Sequence, residues 1–274
     1  MLVFSNCKIN LGLHILNKRP DAYHNLETVF YPLNLCDVLE VIKGNDTPYS
    51  KIKIITEGIS IGEKTEKNLI AKAYHLLDSV YGLEPVTFCL LKNIPLGAGL
   101  GGGSGNAAFT LKLLNQLFDL KISDEQLINY AGQLGSDCAF FIKNKPCFAS
   151  GRGEILHEIN LDLSMYSIVI VKPPVHVSTK EAFCNLKSSE IINLNHPLRD
   201  IINLPIAHWK DHLFNDFESS VFSTYPILAE IKDTLYREGA LYAAMSGSGS
   251  AIFGIFKSKP RLNNSFPGFF YFET

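Results

Sequence analysis

Six of the ten residues in 96–105 are glycine, inside the stretch Pro95-Leu-Gly-Ala-Gly-Leu-Gly-Gly-Gly-Ser-Gly-Asn-Ala-Ala108. The apolar run Val86-Thr-Phe-Cys-Leu-Leu91 before it predicts a strand, and the periodic apolar segment 107–118 after it predicts a helix. A glycine loop between a strand and a helix start is an anion site. Glycine lets the backbone approach a ligand without a Cβ clash, and the free N–H groups and helix dipole favour phosphate.

Two common phosphate loops can be tested on these residues. The P-loop needs a lysine directly after its glycines, and none stands there. The dinucleotide pattern appears formally at Gly97-Ala-Gly-Leu-Gly-Gly102. It belongs in a parallel βαβ unit with an acidic residue about 20 positions on. Asp119 ends a predicted helix and Asp124 starts the next, so neither follows a second strand and a dehydrogenase reading is weak. A flexible linker would be hydrophilic rather than held between an apolar strand and an apolar helix.

The elements that must position this loop follow from periodicity. Residues 7–15 alternate, with Cys7, Ile9, Leu11, Leu13 and Ile15 on the core side and Lys8, Asn10, Gly12 and His14 opposite. Strands are expected over 26–33, 37–42 and 51–56. Asn68 opens a helix that Gly82 stops, and Ser123-Asp-Glu-Gln126 is a capping box for a helix ending at Gly135. Beyond residue 153 a buried strand is expected over 167–171. Helices are expected after Ser178, around Asp200, over 211–222 and over 226–238, and strands over 241–245 and 251–256. Mixed strands and helices without βαβ regularity predict an α+β fold with a boundary near residue 155, dividing 1–155 from 156–274.

A chain of 274 residues buries a sizeable core. With 25 basic and 27 acidic side chains it carries no electrostatic footprint for nucleic acid or an anionic membrane, so a phosphate-rich ligand must be gripped locally. No apolar run approaches the roughly 18 residues of a spanning helix, and no secretory signal opens the chain. The cysteines Cys7, Cys36, Cys89, Cys138, Cys147 and Cys184 lack C-x-x-C spacing and read as reduced thiols of a cytoplasmic protein. His75, His157, His176, His196, His208 and His212 show no ligand spacing, so no protein metal site is expected. Monomer and homodimer both remain open.

The loop resembles the signature of the GHMP kinases, the superfamily of galactokinase, homoserine kinase, mevalonate kinase and phosphomevalonate kinase. Cys7-Lys-Ile-Asn-Leu-Gly-Leu-His-Ile15 resembles the family's first motif, and Met245-Ser-Gly-Ser-Gly-Ser-Ala-Ile-Phe253 its third. Asp21-Ala-Tyr-His-Asn-Leu-Glu-Thr-Val-Phe30 is similar to a segment of the branch acting on a cytidine-diphosphate-linked methylerythritol in the non-mevalonate route to isoprenoids. Leu134-Gly-Ser-Asp-Cys-Ala-Phe-Phe141 and Ala149-Ser-Gly-Arg-Gly-Glu154 extend the likeness over nearly the whole chain. Two departures stand out: Ala22 where the family has Gly, and Gly105 where it has a second Ser.

The resemblance implies two GHMP domains with the active site in the cleft between them, an N-terminal nucleotide-binding domain over 1–155 and a C-terminal one over 156–274. It implies ATP and Mg²⁺ as cofactors and a small-molecule alcohol as acceptor. Asp137 is implied as the base that takes the acceptor's proton. On residues alone it reads as the N-cap of a following short helix. Lys8 is implied as its cationic partner, where residues alone give a solvated charge. Nucleotide contacts are implied for Pro95, Leu96, Gly97, Ala98, Gly99, Leu100, Gly101, Gly102, Gly103, Ser104 and Gly105. Asn68 and Lys92 resemble adenine-side positions, or are a helix cap and a surface charge. Tyr23 and His24 offer a face and a polar partner to a cytosine ring. Phe183 is a second stacking face or core packing, and Asn10 and Thr179 are hydrogen-bond candidates. Residues 246–249 line the site or form a plain hairpin turn. A different acceptor, or a module that has lost catalysis, are the rival readings.

Overall fold

Alternating and β-branched residues near the start of the chain produce two long strands, β1 (Leu2–Lys18) and β2 (His24–Lys43). The computed structural model describes residues 1–21, 23–44, 51–62, 68–184, 197–262 and 265–274, so the Ala22 departure lies outside the described residues. Packing divides the chain into two interleaved units. The first comprises Met1–Cys7, Pro32–Leu96 and Gly101–Lys145; the second Lys8–Tyr31, Gly97–Leu100 and Pro146–Thr274. Residue 155 falls inside the second unit.

In the first unit, β3 (Ile52–Gly58) pairs in parallel with β4 (Val86–Lys92), and β4 pairs antiparallel with the later half of β2, from Val38 opposite Leu91 to Lys43 opposite Val86. The helices are α1 (Leu69–Tyr81), α2 (Gly102–Leu117), α3 (Asp124–Leu134) and α4 (Phe140–Lys143). Spacings of three and four put Ile70, Ala73, Tyr74 and Leu77 of α1 in the core. Asn68 caps it and Gly82, left-handed at φ 63°, ends it. The expected capping box at Ser123 and Gln126 is present at α3. The helix expected from residue 107 begins earlier, at Gly102. Three of the loop's six glycines are thus helical, and two of them are forced by proximity. A Cβ on Gly102 would lie 2.8 Å from Ile94 Cγ2, and one on Gly105 3.0 Å from the Asn6 carbonyl.

In the second unit, β5 (Cys147–Ser150) pairs with the start of β2 and with β6 (Ile155–Glu158). A separate antiparallel sheet has the order β10-β7-β9-β8, built from β7 (Ser167–Lys172), β8 (Tyr242–Met245), β9 (Ile252–Phe256) and β10 (Phe270–Glu273). The helices are α5 (Thr179–Cys184), α6 (Leu198–Ile201), α7 (Trp209–His212), α8 (Glu218–Thr224) and α9 (Pro226–Arg237). Val169, Val171, Leu228, Ile231, Leu235 and Ile252 lie in one core cluster. The single helix expected over 211–222 is interrupted between α7 and α8. There the backbone pairs with β1 instead: Leu13 N–H donates to Phe214 O and Asp216 N–H to Leu13 O, both at 2.9 Å.

Strand β1 is buried on both faces from Ser5 to Ile15, so the polar side expected for Lys8, Asn10 and His14 is interior. His14 is 1% exposed and neither ring nitrogen has a hydrogen-bond partner. Burial pulls its pKa down to about 4. An unfolded histidine takes up its proton near pH 6.5, so between there and pH 4 the unfolded state binds more protons and stability falls with pH. The full loss is about 3 kcal/mol. Urea melts at pH 7, 5.5 and 4.5 should show this slope in the native sequence and a shallower one in His14→Leu; identical slopes would clear His14 of the effect.

Candidate active site

In the second unit, β1, the first half of the glycine loop and the β8–β9 turn meet at one polar network. Lys8, 3% exposed, donates from Nζ to Asn10 Oδ1 at 2.5 Å and to Gly99 O at 3.0 Å. The Lys8 N–H donates to Leu100 O at 2.9 Å. Ser246 Oγ accepts from the Asn10 N–H at 3.3 Å and donates to Gly99 O at 2.9 Å. Asn10 Nδ2 donates to Thr28 Oγ1, which donates to Gly12 O. The ammonium also lies 5.0 Å from the centre of the Phe30 ring. Lys8 is therefore no solvated charge, because burial with oriented acceptors fixes its position.

Gly99 has φ 73°, and a Cβ there would stand 1.8 Å from Ser246 O. The loop glycine and the turn touch backbone to backbone, so the 246–249 turn is a hairpin connection that also braces the loop. Asn215, buried between α7 and α8, holds this turn by donating to Met245 O and Gly247 O, each at 2.8 Å. Nothing local in the sequence marks Asn215, since its partners lie some 30 positions on. Thr179 Oγ1 lies 3.1 Å from Ser248 Oγ. His176, set aside in the sequence for lack of ligand spacing, sits on Gly97. A Cβ at Gly97 would meet its Nδ1 at 2.3 Å.

The predicted aromatic residues of this unit make two separate contacts. His24 and Phe183 stack with centroids 5.0 Å apart and planes 12° from parallel. Rings this close touch each other and leave no room for a third ring between them. Phe183 also meets Phe217 edge-on and packs against the core cluster, so the core-packing role is present. Tyr23 is 57% exposed, with the Arg152 guanidinium 5.0 Å over its ring. Arg152 is placed by a turn with left-handed Gly151 and Gly153, and Glu154 accepts its backbone N–H at 2.5 Å.

The first unit holds the other predicted residues. Gly101, at φ 69°, is the N-cap of α2, so the N–H groups of 102–104 lie at the helix's positive end. Pro95 and Leu96 are half-buried, while Gly103 is exposed beside Ser104. Asp137 sits in the turn between α3 and α4. The cap position of α4 is Ala139 rather than Asp137, and Ala139 carries no side-chain cap bond. Burial pushes the adjacent Cys138 thiol up to about 12, against a bond to Ser104, which leaves a neutral thiol beside the carboxylate.

Asn68 caps α1, accepting from the Ile70 N–H at 2.9 Å. Lys92 is not a surface charge: its side chain is 1% exposed and its ammonium is bonded to Asp37. Asp37 also accepts from the N–H groups of Asn93 and Ile94, both at 2.8 Å. A Cβ on Gly102 would come within 3.0 Å of Lys92 Nζ, so the pair supports the loop from beneath. The sequence did carry a signal for Asp37. It occupies an inward position of β2 between Leu35 and Leu39, where a carboxylate requires a partner. Among the described residues, no three His, Cys, Asp or Glu side chains are grouped to hold a metal, and no helix is long and apolar enough to cross a membrane.

Comparison with known proteins agrees with these motifs. The model of the GHMP kinases N terminal domain matches residues 68–145, and that of the GHMP kinases C terminal matches 194–264. A 4-diphosphocytidyl-2-C-methyl-D-erythritol kinase of Bacteroides fragilis is 52% identical over 100% of this chain and 99% of its own. The enzyme of that name from Porphyromonas gingivalis is 47% identical over 97% and 95%. A crystal structure of 4-(cytidine 5'-diphospho)-2C-methyl-D-erythritol kinase, 30% identical, superposes with TM-score 0.79 over 93% of this chain and 90% of that one. A mevalonate kinase, 12% identical, shares the fold with TM-score 0.75. With a mixed α and β architecture, ordered motifs and full-length relatives in agreement, the chain belongs to the GHMP kinase family, in the branch of the 4-diphosphocytidyl-2-C-methyl-D-erythritol kinases.

Proposed function

We propose that the protein transfers the γ-phosphate of ATP directly to a hydroxyl of a cytidine-diphosphate-linked methylerythritol, in the non-mevalonate route to isoprenoids. The observation that supports the acceptor assignment is a pair of ring contacts, His24 stacked on Phe183 and the Arg152 guanidinium over Tyr23, carried by the neighbouring residues 23 and 24. Homoserine and mevalonate have no ring to stack, and a silent nucleotide-binding module has no use for such a surface. Asp137 accepts the hydroxyl proton, and the buried Lys8 ammonium, oriented by Asn10 and Gly99, offsets charge on the reacting groups. Asn10 and Thr179 contribute hydrogen bonds to the acceptor. The loop 95–105 holds the phosphates on backbone N–H groups and the α2 terminus. Asn68 and Lys92 serve the nucleotide side, Lys92 through Gly102 rather than through a solvent-facing charge.

Mg²⁺ fits this donor set. It would be held mainly by the substrate's own phosphates and its waters, with the Ser104 hydroxyl as a protein oxygen for it. It supplies charge neutralisation at the transferring phosphoryl group. We put the boundary between the family's two domains near residue 155, a position the matched segments 68–145 and 194–264 leave open. A cytoplasmic location is in keeping with the cysteines at 7, 36, 89, 138 and 147, which form no disulfide.

ATP consumption measured with the cytidyl alcohol, homoserine and mevalonate tests the assignment, which fails if either smaller acceptor is preferred. Within it, Tyr23→Ala and His24→Ala should each raise the acceptor KM by about 5- to 150-fold, from about 1–3 kcal/mol of base stacking, with the KM for ATP nearly unchanged. Equal shifts in both KM values would remove these rings from the acceptor side.

A further inference from the structure

Strand β3 is an edge. It pairs with β4 along one side and has no strand on the other among the described residues. Its sequence, Ile52-Lys-Ile-Ile-Thr-Glu-Gly58, is rich in β-branched residues and contains no proline. Lys53, Ile55, Thr56 and Glu57 are all exposed. An edge of this kind offers a row of backbone N–H and C=O groups to another strand, and folds usually blunt it with proline, a bulge or repelling charge. Here the charge does the opposite. Lys53, Ile55 and Glu57 share one face, with one charge of each sign placed two residues either side of Ile55.

We propose that β3 is a self-association edge, through which two copies of the chain pair antiparallel about a twofold axis at Ile55. In that register Lys53 faces the partner subunit's Glu57, Glu57 faces the partner subunit's Lys53, and the two isoleucines meet on the axis. Opposite charges directly across an antiparallel pair stabilise it and like charges oppose it. Moving the strands by two residues breaks both ion pairs. Moving them by four places Lys53 opposite its own copy or Glu57 opposite its own copy. One register alone satisfies both charges, and it is the symmetric, closed one. The complementarity is between the strand and itself, which selects a second copy over an unrelated peptide. On β4 the exposed Leu91 stands level with Glu57, next to the edge that association would use.

Sedimentation velocity of the full chain over a wide concentration range tests this. The expected result is a reversible dimer that weakens with added salt. Lys53→Glu and Glu57→Lys each replace two attractive pairs by two repulsive ones, so each should weaken dimerisation by about tenfold or more. The reciprocal double change, Lys53→Glu with Glu57→Lys, should restore the dimer, and a mixture of the two single variants should form a heterodimer. Matching thermal melts show that the variants are folded; should the double variant melt early, the mixture of single variants decides. A chain that is monomeric throughout, a dimer indifferent to both reversals, or a mixture that does not associate would each overturn the proposal. The readout is association alone, independent of any catalytic role.

Discussion

Asp137→Asn is expected to lower kcat by about 10²–10⁴ while leaving nucleotide binding and thermal stability near those of the native sequence. Asparagine keeps the shape of the side chain and most of its hydrogen bonding but cannot take a proton from a hydroxyl. The cap position of α4 is Ala139, and asparagine caps a turn about as well as aspartate, so the exchange should leave the local fold intact. The neighbouring thiol offers no substitute base, since burial pushes the Cys138 pKa up to about 12. Lys8→Met should also depress turnover. Adding it to Asp137→Asn should cost much less than the two separate losses combined, as for residues acting as a unit. The deciding measurement is kcat at saturating ATP and acceptor. A value within a few-fold of the native enzyme's would take Asp137 out of the chemistry.

The second large effect belongs to a residue without a side chain. Gly99→Ala places a methyl group 1.8 Å from the Ser246 carbonyl oxygen, at a left-handed φ of 73°. No rotamer relieves that clash, because both contacts are backbone, so the loop and the turn must separate. The expected cost is at least about 4 kcal/mol, in the range kept for defects of this kind. Activity should fall with it even in protein that remains folded, since Gly99 O is an acceptor for both Lys8 Nζ and Ser246 Oγ. Gly132→Ala is the control. It lies in α3 with nothing within 4 Å of the new methyl, so helix propensity should make it neutral or stabilising by about 0.5–1 kcal/mol. Chemical denaturation of both variants checks the contrast, and similar losses in the two would mean that the Gly99 contact is not what matters.

What the sequence made legible were the features written in neighbouring residues. The capping box at Ser123, the Asn68 cap and the Gly82 stop are each set by groups within a turn of one another, and all three stand where expected. The strand–loop–helix order around the glycines was equally local. Its detail was not: the helix starts at Gly102, and the groups that crowd Gly102 and Gly105, Ile94 and Lys92 for the one and the Asn6 carbonyl for the other, come from other elements. Lys92 and Lys8 read as surface charges on single strands because their burial is set by β2 in one case and by the 246–249 turn in the other. The broken helix at 213–217 has the same origin. Its propensity is overridden by pairing with β1, some 200 residues earlier. Strand β10 escaped notice, being four half-buried residues that take strand form along β7.

The interleaving of the two units sets a timetable for synthesis. The first unit is complete once Lys145 has been made, yet the stretch Lys8–Tyr31 that emerges with it belongs to the second. Asn10 meets Ser246 across 236 positions of chain. At ordinary translation speeds that is a wait of roughly 10–50 s between the first partner leaving the ribosome and the last. Through that interval a strand segment rich in isoleucine and leucine has lysine, asparagine and histidine but not the groups that will bury them. The Lys8 network is therefore among the last parts of the molecule to close.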